Sequence, residues 1–458
     1  MRMKSVIIAG VALVFIAGGW LHKFPPELIR VGASYTAKIV CSNVFIAGRD
    51  PESVLALDVQ SPGHPLLSLM RVDVDRERGS VQAALLGFIG DGLAINRPGT
   101  GCASVPDGNV AMADKYRFTP LVVKSSAGNE KKWPSGNRAD TNLRIQKVIE
   151  QDALAGSGMR GIAVIHEGRL VAQRYADGFT QDTPLLGWSM TKSVTAALVG
   201  IQVADEKIRL DQDGWWHVTN ARDGRAAIKI SDLMAMSSGL HFNEGYGNVS
   251  DVTRMLYLES DMAAYARAQP LEHPVGTIWN YSSGTTVLLS AIWQAAAGAE
   301  SLLVPRQRLF GPLGMKSAVL EVDARGNFVG SSYMYATTQD WARFGQFLLQ
   351  DGQWDGKRIL PDGFVKLMST VAPASKGAYG QGQVWRWGPG GESPQEKKGD
   401  ADFGLPADTF WMLGHDGQSV AIVPSRKLVV VRLGLTPSRL HYKPQAMLAE
   451  VIKALGRP

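Results

Sequence analysis

The alternation of apolar and polar positions is most regular from Gly161 onward. Gly161–His166 and Leu170–Tyr175 are strand-like runs around Glu167-Gly168-Arg169, a pattern that predicts a hairpin. Val194, Ala197, Leu198 and Ile201 then recur at helical spacing and predict a helix from Ser189 to about Ala204. A short helix over Ser231–Met236 is stopped by Gly239, and longer ones are expected over Val252–Ala268 and Thr285–Ala297, the last closed by Gly298. Thr337-Thr338-Gln339-Asp340 reads as a capping box that opens a helix running to about Gln350. Phe410–Leu413, Ser419–Val423 and Leu428–Leu433 form a strand trio with a turn at Pro424–Lys427, and Pro444–Leu455 is a final helix. Helices fill the middle and antiparallel strands lie at both ends. That order predicts an α+β domain in which N- and C-terminal strands share one antiparallel sheet, flanked by a helical region.

Upstream the pattern is weaker. Phe24 to about Phe118 has only short apolar runs, such as Leu67–Val72 and Val81–Ile89, and reads as a small, partly β region. Lys124–Thr141 is rich in Ser, Gly, Asn, Lys and Pro, as expected of a linker or long loop. The chain therefore divides into residues 1–23, an N-terminal region with its linker over 24–140, and a main domain over 141–458. Within 1–23, the basic start Met1-Arg2-Met3-Lys4 precedes the uncharged run Ser5–Leu21. That run is at the short end for a membrane-spanning helix and slightly long for a signal-peptide core. Ala17-Gly18-Gly19 is the nearest approach to a cleavage site, so an uncleaved anchor is expected, with a cleaved signal as the alternative. Arg2 and Lys4 favour an N-in orientation, which places the rest on the periplasmic side of the inner membrane. The two cysteines, Cys41 and Cys102, fit an exported protein with one disulfide.

Composition removes several function classes. The net charge of +6 arises from 48 basic and 42 acidic side chains scattered along the chain, with no basic block of the kind that binds nucleic acid. Neither Cys-x-x-Cys nor His-Glu-x-x-His spacing occurs, so no metal and no cofactor are expected. Gly377–Gly382 follows no strand and reads as a flexible loop rather than a phosphate cradle. The sequence carries no signal for an oligomeric state.

Candidate chemistry begins at Ser189-Met190-Thr191-Lys192, a Ser-x-x-Lys tetrad at the start of an apolar helix. Side chains three apart share a helix face, so a lysine amine can take the serine proton. Burial is what makes a lysine suited to that task. Tyr281-Ser282-Ser283 precedes the next apolar helix, and His415-Asp416-Gly417 lies between two strands. No Gly-x-Ser-x-Gly elbow exists for a Ser-His-Asp hydrolase.

With these three motifs in this order, the chain resembles the serine β-lactamase and penicillin-binding-protein superfamily over roughly residues 140–455. The resemblance is to the branch related to class C β-lactamases, which includes D-Ala-D-Ala carboxypeptidases, β-lactamase-fold esterases and 6-aminohexanoate-dimer hydrolase. Ile230–Leu240 and Tyr335–Gly345 support it. The resemblance implies Ser189 as acylating nucleophile, Lys192 beside it, and Tyr281 as the proton shuttle. His415, Gly417 and Ser283 line the substrate cleft by the same match, and the backbone N–H groups of Ser189 and Gln418 form the oxyanion hole. Two positions depart from the pattern. Ser283 stands where the family has the Asn of Tyr-x-Asn, and His415 where it has the Lys of Lys-Thr-Gly. Both family residues help hold a β-lactam, so an esterase or amidase of small molecules is expected ahead of a β-lactamase or carboxypeptidase. A non-catalytic ligand-binding relative would be expected to lack Ser189, Lys192 or Tyr281. Specificity is expected in the loops 241–250 and 373–408, while Trp188, Trp385 and Trp387 read as packing residues.

Overall fold

The computed structural model describes residues 18–119, 131–215, 223–390 and 399–456. Most of the expected N-terminal anchor, part of the 124–141 linker and part of the 373–408 loop lie outside those residues. Contacts divide the chain into two units. The first comprises residues 1–117, 243–262 and 322–326, and the second comprises 118–242, 263–321 and 327–458. The first segment of the first unit ends near residue 117, and this unit also draws in two later segments.

In the first unit the strands β1 (Met70–Asp75), β2 (Ser80–Leu85), β3 (Ile89–Arg97) and β4 (Gly101–Ser104) form an antiparallel sheet in sequence order. A helix over Glu27–Phe45 packs against it. The sequence reading missed this helix. Its many small residues (Gly32, Ala33, Ser34, Ala37, Ser42) let it sit buried on most sides, so no amphipathic stripe marks it. The approach to the sheet is close enough that a Cβ on Gly92 would lie 2.3 Å from the Ala33 backbone. Cys41 on the helix is disulfide-bonded to Cys102 on β4, with Cα atoms 6.1 Å apart. Arg97, fully buried, donates to the carbonyls of Ala113, Val322 and Asp323, which explains how residues 322–326 join this unit.

In the second unit, β5 (Met159–His166), β6 (Arg169–Tyr175), β7 (Phe410–Gly414), β8 (Gln418–Val423) and β9 (Leu428–Gly434) make one antiparallel sheet in the order β7-β8-β9-β5-β6. N- and C-terminal strands therefore meet at β9–β5, with Val430 opposite Val164. Helices Leu143–Ile149 and Pro444–Leu455 cover one face through Ile145, Ile149, Met447 and Leu448. The helix Thr338–Leu349 covers the other, and Gly345 leaves room there for Val420 and Val429. Covering both faces is why β8 and β9 are buried along their whole length rather than alternating between buried and exposed positions.

Two local expectations are corrected. The helix expected over Val252–Ala268 is two helices, Asp251–Leu258 and Met262–Ala268, because Glu259 is extended and the Met262 N–H is taken by the Asp323 carboxylate at 2.9 Å. Thr337 caps its helix by accepting from the Asp340 N–H, but Asp340 does not close the box. Its carboxylate accepts from Ser317 and pairs with Arg343, while the Thr337 N–H goes to Ser317 Oγ.

Candidate active site

Leu185–Gly187 leads into a 3₁₀ turn at Trp188–Met190, which continues as the helix Thr191–Ala204. Trp188 holds φ +48°, a left-handed conformation that a bulky residue adopts only under constraint. The turn places Ser189 half-buried at the helix entrance and Lys192 one turn further in, 1% exposed. Lys192 Nζ lies 3.1 Å from Ser189 Oγ, 3.1 Å from Ser283 Oγ and 3.0 Å from the Ser331 carbonyl oxygen. It also sits 4.7 Å from the centroid of the Tyr281 ring. The amine thus touches Ser189 Oγ while other oxygens and an aromatic face fix its position.

Each of these neighbours is placed by a specific device. Ser282 caps the helix Ser283–Ala297 by accepting from the Thr285 N–H, and Ser283 begins that helix, which packs beside the Ser189 helix. Ser331 follows Gly330, where a Cβ would lie 2.2 Å from Thr195 Oγ1 and 2.3 Å from Ser290 Oγ. Only glycine lets this segment pass between the two helices and offer its carbonyl to Lys192. Tyr281 packs among Trp279, Tyr379 and Trp385, with the Trp385 ring centroid 5.1 Å away. The segment carrying Trp385 is pinned by Gln383. Its carbonyl accepts from Ser193 Oγ, its Oε1 accepts from Thr286 Oγ1, and its Nε2 donates to the Leu233 and Met234 carbonyls.

The third motif closes the site. His415–Gly417 is the turn between β7 and β8, with Asp416 and Gly417 both at positive φ. The end of β7 meets the turn that carries Ser189, since a Cβ on Gly414 would lie 2.2 Å from the Gly187 carbonyl oxygen. Arg432, fully buried, donates to the Gly417 carbonyl at 3.1 Å. In a trans peptide this points the Gln418 N–H the opposite way. The Ser189 N–H belongs to a helix's first turn, where backbone donors lack intrahelical acceptors. The Gln418 side chain faces inward, donating to the His415, Asp416 and Gly434 carbonyls and accepting from the Gly434 N–H. His415 packs edge-on against Trp188 at 5.8 Å and lies 3.4 Å from the Asp416 carboxylate.

Of the expected site residues, Ser189, Lys192, Tyr281 and Ser283 come together directly, and His415, Gly417 and Gln418 border them through the strand end. Ser283, expected in the cleft, is fully buried and its hydroxyl accepts from Lys192. Trp385, read as packing, is partly buried against the core and against Tyr281. The sequence reading missed Ser331 and Gln383. Ser331 acts through a backbone carbonyl, which leaves no side-chain signal, and Gln383 sits in a Gly-rich stretch where nothing marks it as buried.

Residues 147–441 match the Beta-lactamase family. Over 362 residues the chain is 22% identical to the 6-aminohexanoate-dimer hydrolase of Paenarthrobacter ureafaciens, covering 70% of this chain and 87% of that one. A stretch of 100 residues is 30% identical to an uncharacterised protein of Alkalihalophilus pseudofirmus, covering 22% of this chain and 29% of that relative. Among solved structures, the hydrolase EstCE1, described as having promiscuous acyltransferase activity, superposes with a TM-score of 0.52 at 18% identity, over 68% of this chain and 97% of that one. The matched region contains every residue of the site, and the chain belongs to the β-lactamase family, a family of hydrolases.

Proposed function

We propose that this protein is a serine hydrolase that cleaves small esters and linear amides, of the 6-aminohexanoate-dimer kind, through an acyl-enzyme. The observation that carries the reading is the placement of Lys192 Nζ at 3.1 Å from Ser189 Oγ beneath the Tyr281 ring. The Ser189 proton passes to Lys192 as Oγ attacks the substrate carbonyl. The Ser189 and Gln418 N–H groups stabilise the oxyanion, and Lys192 passes the proton on to Tyr281 as Tyr281 delivers its own to the leaving amine or alcohol, so both return to their starting forms. Water then attacks the acyl-enzyme by the reverse proton path. One oxyanion donor is worth about 10²–10³ in rate at such sites.

The same geometry argues against β-lactams as preferred substrates. Ser283 is committed to Lys192, and His415 stands beside the Asp416 carboxylate, which opposes binding of a substrate carboxylate. Each lost polar contact is worth about 0.5–3 kcal/mol, so the two together lower lactam turnover by roughly one to four orders of magnitude. The relative named 6-aminohexanoate-dimer hydrolase supports the amide side of the reading. The test compares kcat/KM for a short-chain p-nitrophenyl ester, a linear aminohexanoate amide and a chromogenic cephalosporin, alongside fluorophosphonate labelling. Ester and amide values above the cephalosporin are expected. A cephalosporin value equal or higher would turn the reading to a β-lactamase, D-Ala-D-Ala cleavage to a carboxypeptidase, and absence of labelling to a non-catalytic binding module.

We further propose that the apolar run Ser5–Leu21 tethers the protein to the inner membrane with its catalytic unit in the periplasm, on the strength of Arg2 and Lys4 before that run. Fractionation of a full-length C-terminal reporter fusion tests this, and a purely cytosolic, soluble protein would contradict it.

A further inference from the structure

Five large apolar side chains of the first unit, Trp20, Phe24, Leu69, Leu86 and Phe88, are between 41% and 59% exposed. They lie together. His22 Nδ1 is 2.6 Å from the Phe88 carbonyl oxygen, the Trp20 and Phe24 ring centroids are 6.1 Å apart, and the Leu86 N–H donates to the Leu69 carbonyl at 2.9 Å. Leu86-Gly87-Phe88 is the turn between β2 and β3. Leu86 there holds φ +56°, where turns ordinarily place Gly, Asn or Asp. A leucine in this conformation is strained, and half of its side chain faces out of the protein, so local stability does not account for it. Lys23 Nζ sits 5.7 Å over the Phe24 ring, an aliphatic stem with its charge held beside an aromatic face.

The patch adjoins the point where the apolar run Ser5–Leu21 ends, one residue before His22. Tryptophan and other amphipathic side chains collect where a spanning segment leaves the bilayer, and an adjoining cation reaches the headgroups. We infer that this end of the first unit is a lipid-docking surface, with the Leu86-Gly87-Phe88 tip inserted into the membrane interface beside Trp20 and Phe24. The inference rests on the tether reading above and extends it. The chain is held by the segment before residue 22 and also seats a folded sheet end on the bilayer, which fixes the orientation of this unit.

The test uses full-length protein in phosphatidylcholine–phosphatidylglycerol nanodiscs, labelled with an environment-sensitive nitrobenzoxadiazole probe at Phe88→Cys. Arg78→Cys, in the turn at the other end of β1 and β2, is the control. Cys41 and Cys102 are disulfide-bonded, so the label goes to the introduced thiol. Blue-shifted emission from the Phe88→Cys probe is expected, with quenching by doxyl-labelled lipid several-fold greater than at the control. Equal quenching at both positions in protein that co-elutes with the discs overturns the docking surface and leaves the tether standing. Failure to co-elute overturns the tether. A blue shift that depends on protein concentration and is insensitive to doxyl lipid identifies a second copy as the occupant and also overturns the proposal.

Discussion

Replacing Ser283 by alanine separates the two roles this position can have. The hydroxyl is fully buried and accepts a hydrogen bond from Lys192 at 3.1 Å. Lys192 keeps the Ser331 carbonyl at 3.0 Å and Ser189 Oγ at 3.1 Å, so the amine stays in the site but loses one of these restraints. A hydrogen bond involving a charged group is worth about 1.5–3 kcal/mol, and a neutral one about 0.5–1.5. With two oxygens remaining, a loss of about 1.5 kcal/mol is the reasonable value, which corresponds to roughly a tenfold fall in kcat. Because the Ser283 hydroxyl is buried and engaged by Lys192, KM should stay within about twofold, the signature of an interaction expressed in the transition state alone. Steady-state hydrolysis of a p-nitrophenyl ester by wild type and Ser283→Ala measures both constants, with thermal melts to confirm folding. A tenfold rise in KM at unchanged kcat would restore Ser283 to the cleft and refute the assignment. Unchanged values of both constants would refute any role in holding Lys192.

Ser189→Ala and Lys192→Ala should each abolish covalent turnover and fluorophosphonate labelling, while Tyr281→Phe leaves a small residual rate, because nucleophile and base act as a unit; near-wild-type turnover in Ser189→Ala would remove the whole mechanism. The Cys41–Cys102 bond spans a sequence separation of 61, so Cys41→Ser/Cys102→Ser should lower the stability of the first unit by about 4 kcal/mol on the chain-entropy account, read by chemical denaturation. Intact mass of the wild-type protein with and without reduction should differ by two hydrogen atoms. Asp400 accepts from Trp411 Nε1 and the Gly388 N–H, yet its burial pushes the carboxyl above the ordinary aspartate value. The folded state therefore holds its proton more tightly than the unfolded chain, so this contribution is full below the ordinary aspartate value and is lost as pH rises through the raised one. A denaturation series across that window should show the decline in wild type and its absence in Asp400→Asn.

The order of apolar runs determined the sheet. Strands over 161–175 and 410–433 are short, strongly apolar and separated by turn residues, so local pattern alone fixed their number and direction. The tetrad was legible for the same reason, since Ser189 and Lys192 are one helical turn apart and their proximity is a local fact. Tertiary structure decided what depends on distant segments. The helix over Glu27–Phe45 is buried on most sides by β2, β3 and Asp251–Leu258, so its own sequence shows no stripe. Trp385 reached Tyr281 because Gln383 ties its segment to three helical segments far away in sequence. Ser283 turned toward Lys192, and Ser331 joined it through a carbonyl that every residue possesses. A motif records which side chains are present. Which atom each one spends on a neighbour is set by packing between elements, and that was decided only when the two helices and the Gly330 segment closed around Lys192.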